Sequence, residues 1–223
     1  MNALKYGLCS LTLLCLLVAG MFSPLPAEAT KPNPVVIFET SMGRIIVMLY
    51  PKQTPITVEN FLRYVDDGFY SGTVFHRVVR MEIDKVEKAN QQQAINIVQG
   101  GGFTYPPLRM KRPLWAAILN EDGRGLQNTK GTIAMARLSD PNSATCQFFF
   151  NVDDNPGLNP MVIKKKWSEP DDQILRNGYC AFGKVIRGME IVEKIHQVPT
   201  TRMGNYQDVP KEPIYIKKAY RAK

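Results

Sequence analysis

An arginine among apolar residues is the first feature of this sequence that suggests chemistry. Residues 73–79 alternate as a β-strand does, which predicts that Phe75, Arg77 and Val79 share one face of that strand. Arginine is rarely buried unless it is paired. Two interpretations therefore stand: an edge strand with Arg77 in water, or a planar guanidinium held in an apolar groove for a purpose.

Most sequence motifs that signal catalysis are missing. There are two histidines, His76 and His196, with no HExxH motif, so a three-histidine zinc site is excluded. No GxSxG elbow or Walker loop occurs. The glycine run 100–102 lacks the GxGxxG spacing and predicts a tight bend or a close backbone approach instead. Composition leaves a Ser-His-Asp hydrolase open, but no local context supports one.

The charge of the chain does not indicate a nucleic-acid partner. The 223 residues include 28 Lys and Arg against 20 Asp and Glu, a formal net charge of +8. The densest basic run, 164–166, is followed closely by acidic residues, and no zinc-finger or RNA-binding signature accompanies it. We expect a solvated loop there. A chain of this length with 44% apolar residues fits one globular domain, or at most two small ones.

The first thirty residues have the pattern of an export signal. Lys5 precedes an uncharged, mainly apolar stretch at 8–20, and Ala27-Glu28-Ala29 follows. A positive start, a short apolar region and an Ala-x-Ala ending predict a signal peptide over 1–29, cleaved after Ala29. The alternative, an uncleaved membrane anchor, needs about 20 apolar residues. We expect an exported, periplasmic protein whose mature domain spans 30–223.

Cleavage would leave two cysteines in the mature chain. Cys9 and Cys15 leave with the signal, and Cys146 and Cys180 remain. An exported protein meets an oxidising compartment, where a pair can bridge. The sequence leaves open whether these two cysteines lie within reach of each other.

Two helices are predicted to position the rest of the chain. The first covers 55–67, with Thr54 as N-cap, Pro55 in the first turn and Gly68 as the stop. Four apolar residues at helical spacing support it: Val58, Phe61, Leu62 and Val65. The second helix is predicted over 189–195.

The remaining elements are predicted strands. They cover 35–38, 45–50, 73–79, 97–99, 131–136, 147–152, 179–186 and 214–216. The polar segment 80–95 is predicted to be a surface insertion, and 155–178 is predicted to be a loop. Many strands without βαβ alternation favour an antiparallel barrel with capping helices.

Several short motifs form a linked set along the mature chain. They are Phe75-His76-Arg77-Val78, 99–103 (QGGGF), 131–136 (GTIAMA), 147–152 (QFFFNV) and 182–185 (FGKV). The set resembles the cyclophilin family of peptidyl-prolyl cis/trans isomerases, from about Val35 to the C-terminus. It is most similar to exported cyclophilins of Gram-negative bacteria, which share Asn128-Thr129, 197–200 and Tyr206-Gln207.

The resemblance implies a mainly β fold, a closed eight-stranded antiparallel barrel capped by two helices, with a groove for X-Pro segments. The isomerase domain would span 30–223, with surface insertions at about 80–95 and 159–178. Proline-containing polypeptides would be its partners. We expect no cofactor, metal or nucleic-acid partner, no membrane attachment after signal cleavage, and a monomer.

The resemblance also assigns site residues by motif match. Arg77 takes the place of the catalytic arginine. The expected substrate-binding residues are Ile97, Gln99, Ala136, Arg137, Phe149, Leu158 and Tyr179. The sequence departs from the family at Asn96 and Ile97, where phenylalanine and methionine are usual, and at Gly157, where an aromatic residue is usual.

These residues suit a reaction without a nucleophile, metal or cofactor. Amide resonance gives the X-Pro bond a barrier of about 18–20 kcal/mol. Twisting returns a lone pair to the ring nitrogen, and a rigid guanidinium binds that state better than the ground state. Two functions stay open: an active isomerase of exported proteins, or a proline-binding or chaperone module with weak or no turnover. An unrelated exported barrel, such as a hydrolase, is a third.

Overall fold

The computed structural model describes residues 32–81, 94–164 and 173–222. The first eight strands are β1 (Val35–Thr40), β2 (Gly43–Leu49), β3 (Thr73–Phe75), β4 (Arg77–Val79), β5 (Ile97–Gly100), β6 (Phe103–Thr104), β7 (Arg109–Met110) and β8 (Thr132–Met135). The others are β9 (Phe148–Asn151), β10 (Met161–Lys164), β11 (Gln173–Arg176), β12 (Ala181–Arg187), β13 (Thr200–Met203), β14 (Tyr206–Pro210) and β15 (Ile214–Arg221). The helices are α1 (Pro55–Asp66), α2 (Met189–His196) and a 3-10 helix, Pro156–Leu158.

One antiparallel sheet dominates the fold. Its order is β4-β5-β9-β8-β12-β2-β1-β15-β3-β6-β7, and two separate hairpins, β10–β11 and β13–β14, complete the described strands. The prediction of a mainly β fold with two helices is confirmed. The closed eight-stranded barrel is not confirmed, because the sheet has eleven strands and is open.

A bend at His76 separates β3 from β4, which leaves β4 as an edge strand of the open sheet. The single strand predicted over 73–79 is divided there: Phe75 pairs with Ile214 in β15, while Arg77 pairs with Gln99 in β5. The bend also changes which residues share a face, because Phe75 and Val78 both lie in the main core. The prediction that Phe75 shares a face with Arg77 is therefore wrong: an irregular residue reverses the alternation of all that follow it.

The main core lies between the sheet and the helices. Its largest buried side chains are aromatic, and neighbouring rings lie 4.8–6.4 Å apart at tilted or edge-on angles. Helix α1 buries the predicted stripe, Val58, Phe61, Leu62 and Val65. Along β9, Phe148 and Phe150 enter this core. Strand alternation therefore directs Phe149, between them, to the opposite face.

The carboxylate of Glu121, which is distant in sequence, caps the N-terminus of α1. Thr54 holds the N-cap position, but its side chain makes no cap hydrogen bond. Glu121, buried in a loop, accepts from the Ile56 N–H at 3.3 Å and from the Thr57 N–H and hydroxyl, both at 2.8 Å. The first turn has no acidic residue of its own, so Glu121 supplies the negative charge that the helix dipole favours there.

The structure also revises the loop predictions. The predicted loop 155–178 contains the 3-10 helix and the paired strands β10 and β11. The loop prediction is wrong there because Met161-Val162-Ile163 and Ile174-Leu175 are strand-forming runs inside a polar segment. Residues 82–93 of the predicted insertion and the predicted signal peptide lie outside the described residues.

Two further sequence questions concern the cysteines and the membrane. Cys146 and Cys180 are both free and buried, so they do not pair. In the described ranges, no helix is long and apolar enough to cross a membrane.

Candidate active site

A second, smaller apolar cluster lies on the face of the sheet opposite the main core. Its buried members are Val79, Ile97, Ala134, Phe149, Leu158 and Ala181. Ile95, Leu126, Ala136 and Tyr179 pack against them and are partly exposed. An apolar cluster that reaches the surface in this way can receive an apolar group from another molecule.

This cluster surrounds a pocket of about 170 Å³. Its lining residues are Arg77, Val79, Met81, Ile95, Ile97, Gln99, Ala136, Arg137, Phe149, Leu158 and Tyr179. All eight residues that sequence analysis assigned to a site thus come together here, while their roles stay predictions. Sequence analysis placed Val79 on the same face as Arg77 but assigned it no site role, and it missed Met81 and Ile95. The i, i+2 spacing from Ile97 could have identified Ile95.

Strand register places the three most informative side chains next to one another. Arg77 in β4 pairs with Gln99 in β5, and Gln99 pairs with Phe149 in β9. Phe149 is buried at the floor, and its ring meets that of Tyr179 edge-on at 5.6 Å. A guanidinium, an amide and an aromatic ring therefore converge on one opening although 72 positions separate Arg77 from Phe149.

Arg77 stands at the rim of the pocket. Its side chain is 48% exposed, and its Nε lies 3.8 Å from Oδ2 of Asp208. The Gln99 amide donates to Oε1 of Gln147 at 3.0 Å, which fixes that side chain beside the arginine. Each interpretation of Arg77 holds in part: β4 is an edge strand and Arg77 is exposed, while its side chain also lines an apolar groove.

Arg137 supports one wall of the pocket. Its Nε donates to the Gly178 carbonyl at 3.1 Å and its Nη2 to the Asn177 carbonyl at 2.9 Å. The guanidinium also lies 4.4 Å from the centre of the Tyr179 ring. A cation over an aromatic face is attractive, so Arg137 holds both the backbone and the ring of this wall.

The family of the chain follows from a comparison with protein-family models. Residues 35–221 match the model described as "Cyclophilin type peptidyl-prolyl cis-trans isomerase/CLD". The chain belongs to this family of enzymes. Individual relatives agree with this assignment, and a solved structure shares the fold.

Bacterial relatives resemble this cyclophilin over most of its length. A peptidyl-prolyl cis-trans isomerase of Acinetobacter baylyi is 44% identical over 185 residues, covering 82% of this chain and 83% of the relative. Peptidyl-prolyl cis-trans isomerase A of Dickeya dadantii is 40% identical, covering 89% and 88%. Peptidyl-prolyl cis-trans isomerase B of Escherichia coli is 41% identical, covering 82% and 96%.

A solved structure shares the fold. It is a cyclophilin type peptidyl-prolyl cis-trans isomerase of Cryptosporidium parvum, determined in the presence of the dipeptide Ala-Pro. It superposes with a TM-score of 0.62 and 24% identity, and covers 85% of this chain and 99% of its own.

Buried asparagines hold the pocket walls of this cyclophilin together. The Asn128 amide nitrogen lies 3.2 Å from the Leu158 carbonyl and 3.0 Å from the Tyr179 carbonyl, so one side chain joins two lining residues. Asn96 does not line the pocket: its Oδ1 accepts from the Met81 N–H at 2.8 Å, and its own N–H donates to Asn155 at 2.9 Å. Asn96 therefore fixes backbone beneath the site.

Replacing Asn128 with aspartate is expected to lower stability by about 2 kcal/mol and to raise KM. A carboxylate cannot donate to the carbonyls of Leu158 and Tyr179. The Tyr179 carbonyl then loses its donor, whereas the Leu158 carbonyl keeps the Tyr179 N–H at 2.9 Å. Asn142→Asp is the matched control, since the exposed Asn142 Oδ1 is an acceptor for the Asn120 N–H and aspartate keeps that role. Urea unfolding and steady-state kinetics measure both effects. Equal behaviour of the two variants would contradict this role of Asn128.

Three buried titratable groups, His76, Cys146 and Cys180, are neutral around pH 7. Burial lowers the pKa of His76 to about 4, and its ring stacks on Phe103 with 4.2 Å between ring centres. Burial raises the pKa of the Cys146 thiol, and raises that of Cys180 to about 12. In the part of the chain that the structure describes, no group of His, Cys, Asp and Glu could hold a metal ion. The charged side chains that line the pocket are Arg77 and Arg137.

Proposed function

We propose that this cyclophilin accelerates X-Pro isomerisation by holding the proline ring on Phe149 while Arg77 stabilises the twisted amide. The observation that carries the proposal is the position of a guanidinium at the rim of a pocket with an aromatic floor. The pocket volume, about 170 Å³, is several times the roughly 30 Å³ share of one water molecule in the liquid, so a small apolar ring has room to enter.

The proposed catalysis depends on the change at the proline nitrogen as the amide twists. In the planar amide the proline nitrogen shares its lone pair with the carbonyl, and in the twisted state it becomes a hydrogen-bond acceptor. A donor fixed near that nitrogen binds the twisted state more tightly, which lowers the barrier. The apolar walls, Ile97, Leu158 and Tyr179, would grip the ring while the preceding residue rotates. Ala136 and Gln99 would meet the backbone of the bound segment.

A protease-coupled assay on an Ala-Pro peptide tests this function. Acceleration of the cis-to-trans step by the purified mature chain is expected, since the uncatalysed step takes roughly 10–100 s at 25 °C. Binding of the peptide without acceleration would overturn the proposal. That outcome would favour the alternative, a proline-binding or chaperone module with weak or no turnover.

We further propose that the clients are proline-containing polypeptides outside the cytoplasm. The support is the predicted signal peptide: Lys5, the apolar stretch 8–20 and the Ala27-Glu28-Ala29 ending. After cleavage the protein would be a periplasmic monomer without membrane attachment or nucleic-acid partner.

The mature chain is expected to begin at Thr30. Signal peptidases cleave after small-residue motifs of the Ala-x-Ala type, and Ala29 ends such a motif. Intact-mass analysis of protein purified from an exporting host measures the start. A matched variant, Ala29→Arg, should accumulate with residues 1–29 retained. A native protein that keeps those residues would contradict the prediction and favour a membrane anchor.

A further inference from the structure

Asp208 has an unusual backbone conformation next to the site. Among the described residues it is the one non-glycine residue with a positive φ, 58°. Residues other than glycine rarely adopt this left-handed backbone conformation, and among them aspartate and asparagine tolerate it best. The strain lies in β14, whose pairing with β13 is irregular between Thr201 and Met203. Such outliers persist where the surrounding structure imposes them, and they cluster at functional sites.

The side chain of this strained residue meets Arg77. Asp208 Oδ2 lies 3.8 Å from Arg77 Nε, and in the described residues no other hydrogen-bond or ion-pair partner of the Arg77 side chain is found. Both side chains are about half exposed, and exposed ion pairs add little to stability. Stability therefore does not explain why a strained residue presents its carboxylate here.

The carboxylate of Asp208 lies beside Nε of Arg77, and this position suggests a role in orienting the guanidinium. A guanidinium carries donors on Nε and on two terminal nitrogens in a fixed planar fork. A carboxylate on the Nε side restricts rotation of that plane and leaves the terminal nitrogens free for a ligand in the pocket. An arginine without such a partner samples many rotamers, so its fork spends less time in any one orientation.

We infer that Asp208 is a positioning residue that orients the Arg77 guanidinium toward the pocket. The inference rests on the proposed function, because it gives the orientation of Arg77 a catalytic purpose. Asp208 itself does not touch the substrate. Its loss should therefore lower kcat while KM stays the same, since the fork acts on the twisted state and not on the bound ground state.

Two variants remove the carboxylate and keep the backbone. Asp208→Asn retains shape and tolerance of the left-handed region, and Asp208→Gly removes the side chain at a φ that glycine adopts freely. Each is expected to lower kcat by about two- to fivefold, the size of effect typical of one partly exposed ion pair, with unchanged KM and thermal midpoint. Glu39→Gln, which breaks a similar pair with Arg44 (3.3 Å) far from the pocket, is the control and should change nothing.

A double-mutant cycle separates positioning from a general structural effect. In an Arg77→Ala background, Asp208→Asn is expected to have no further effect, because the group it orients is gone. NMR exchange of an Ala-Pro peptide measures the low residual rates. Full kcat in Asp208→Asn, or an equal loss in both backgrounds, would overturn the inference. Wild-type activity in Arg77→Ala alone would instead overturn the proposed function, so the two failures are distinguishable.

Discussion

Replacing Arg77 with lysine is expected to lower kcat/KM for X-Pro isomerisation by roughly 30- to 1000-fold. Lysine keeps the positive charge but loses the planar fork and the reach of the guanidinium. Removing one preorganised donor to a developing charge costs about 2–4 kcal/mol of transition-state stabilisation. Because Arg77 is 48% exposed and has one weak ion pair, the free energy of unfolding should change by less than about 1 kcal/mol.

Arg44→Lys is the matched control for this experiment. Arg44 lies on β2, is exposed and pairs with Glu39, so the same exchange is made outside the pocket. The protease-coupled assay and urea unfolding should be run on both variants. If Arg77→Lys isomerises as fast as Arg44→Lys, the role proposed for Arg77 is wrong even though the family assignment stands.

Replacing Glu121 with alanine is expected to destabilise the protein by about 3–4 kcal/mol. The change removes the acceptor of the Ile56 and Thr57 N–H groups and of the Thr57 hydroxyl. A buried donor left unpaired costs about 1–3 kcal/mol, and the helix also loses the charge at its N-terminus. Urea unfolding should show a lower midpoint with an unchanged slope, since the surface exposed on unfolding stays the same.

The control for this second experiment is Glu212→Ala. Glu212 is exposed, and substitutions at such surface positions usually change stability by no more than about 0.5 kcal/mol. Glu121→Gln should fall between the two, because the amide keeps one acceptor oxygen. A Glu121→Ala variant as stable as Glu212→Ala would show that α1 does not depend on this carboxylate.

The elements that the sequence predicted correctly have local causes. Helix α1 follows from Pro55, the apolar stripe and Gly68, all within fourteen positions, and its observed bounds agree to within a residue. The bend at His76 could not be predicted, because the run 73–79 contains no glycine or proline that would mark a break. The bend arises because β3 pairs with β15 and β4 pairs with β5. These partner strands are brought into place only in the assembled sheet.

The candidate site was predictable in its residues but not in its arrangement. The motif match named Arg77, Gln99 and Phe149, whereas their adjacency depends on register between strands far apart in the chain. Glu121 and Asp208 were missed for the same reason. Glu121 serves a helix 64 positions earlier and Asp208 an arginine 131 positions earlier, and no periodicity connects such pairs.

The position of Phe149 between Phe148 and Phe150 has a consequence for local motion. Strand β9 is bonded to β5 on one side and β8 on the other, and its two flanking rings belong to the main core. Backbone so enclosed exchanges its amide hydrogens only through large-scale opening. The amides of the pocket floor are therefore expected to open only together with the domain core, and fluctuations that admit a ligand are expected in lining residues outside β9.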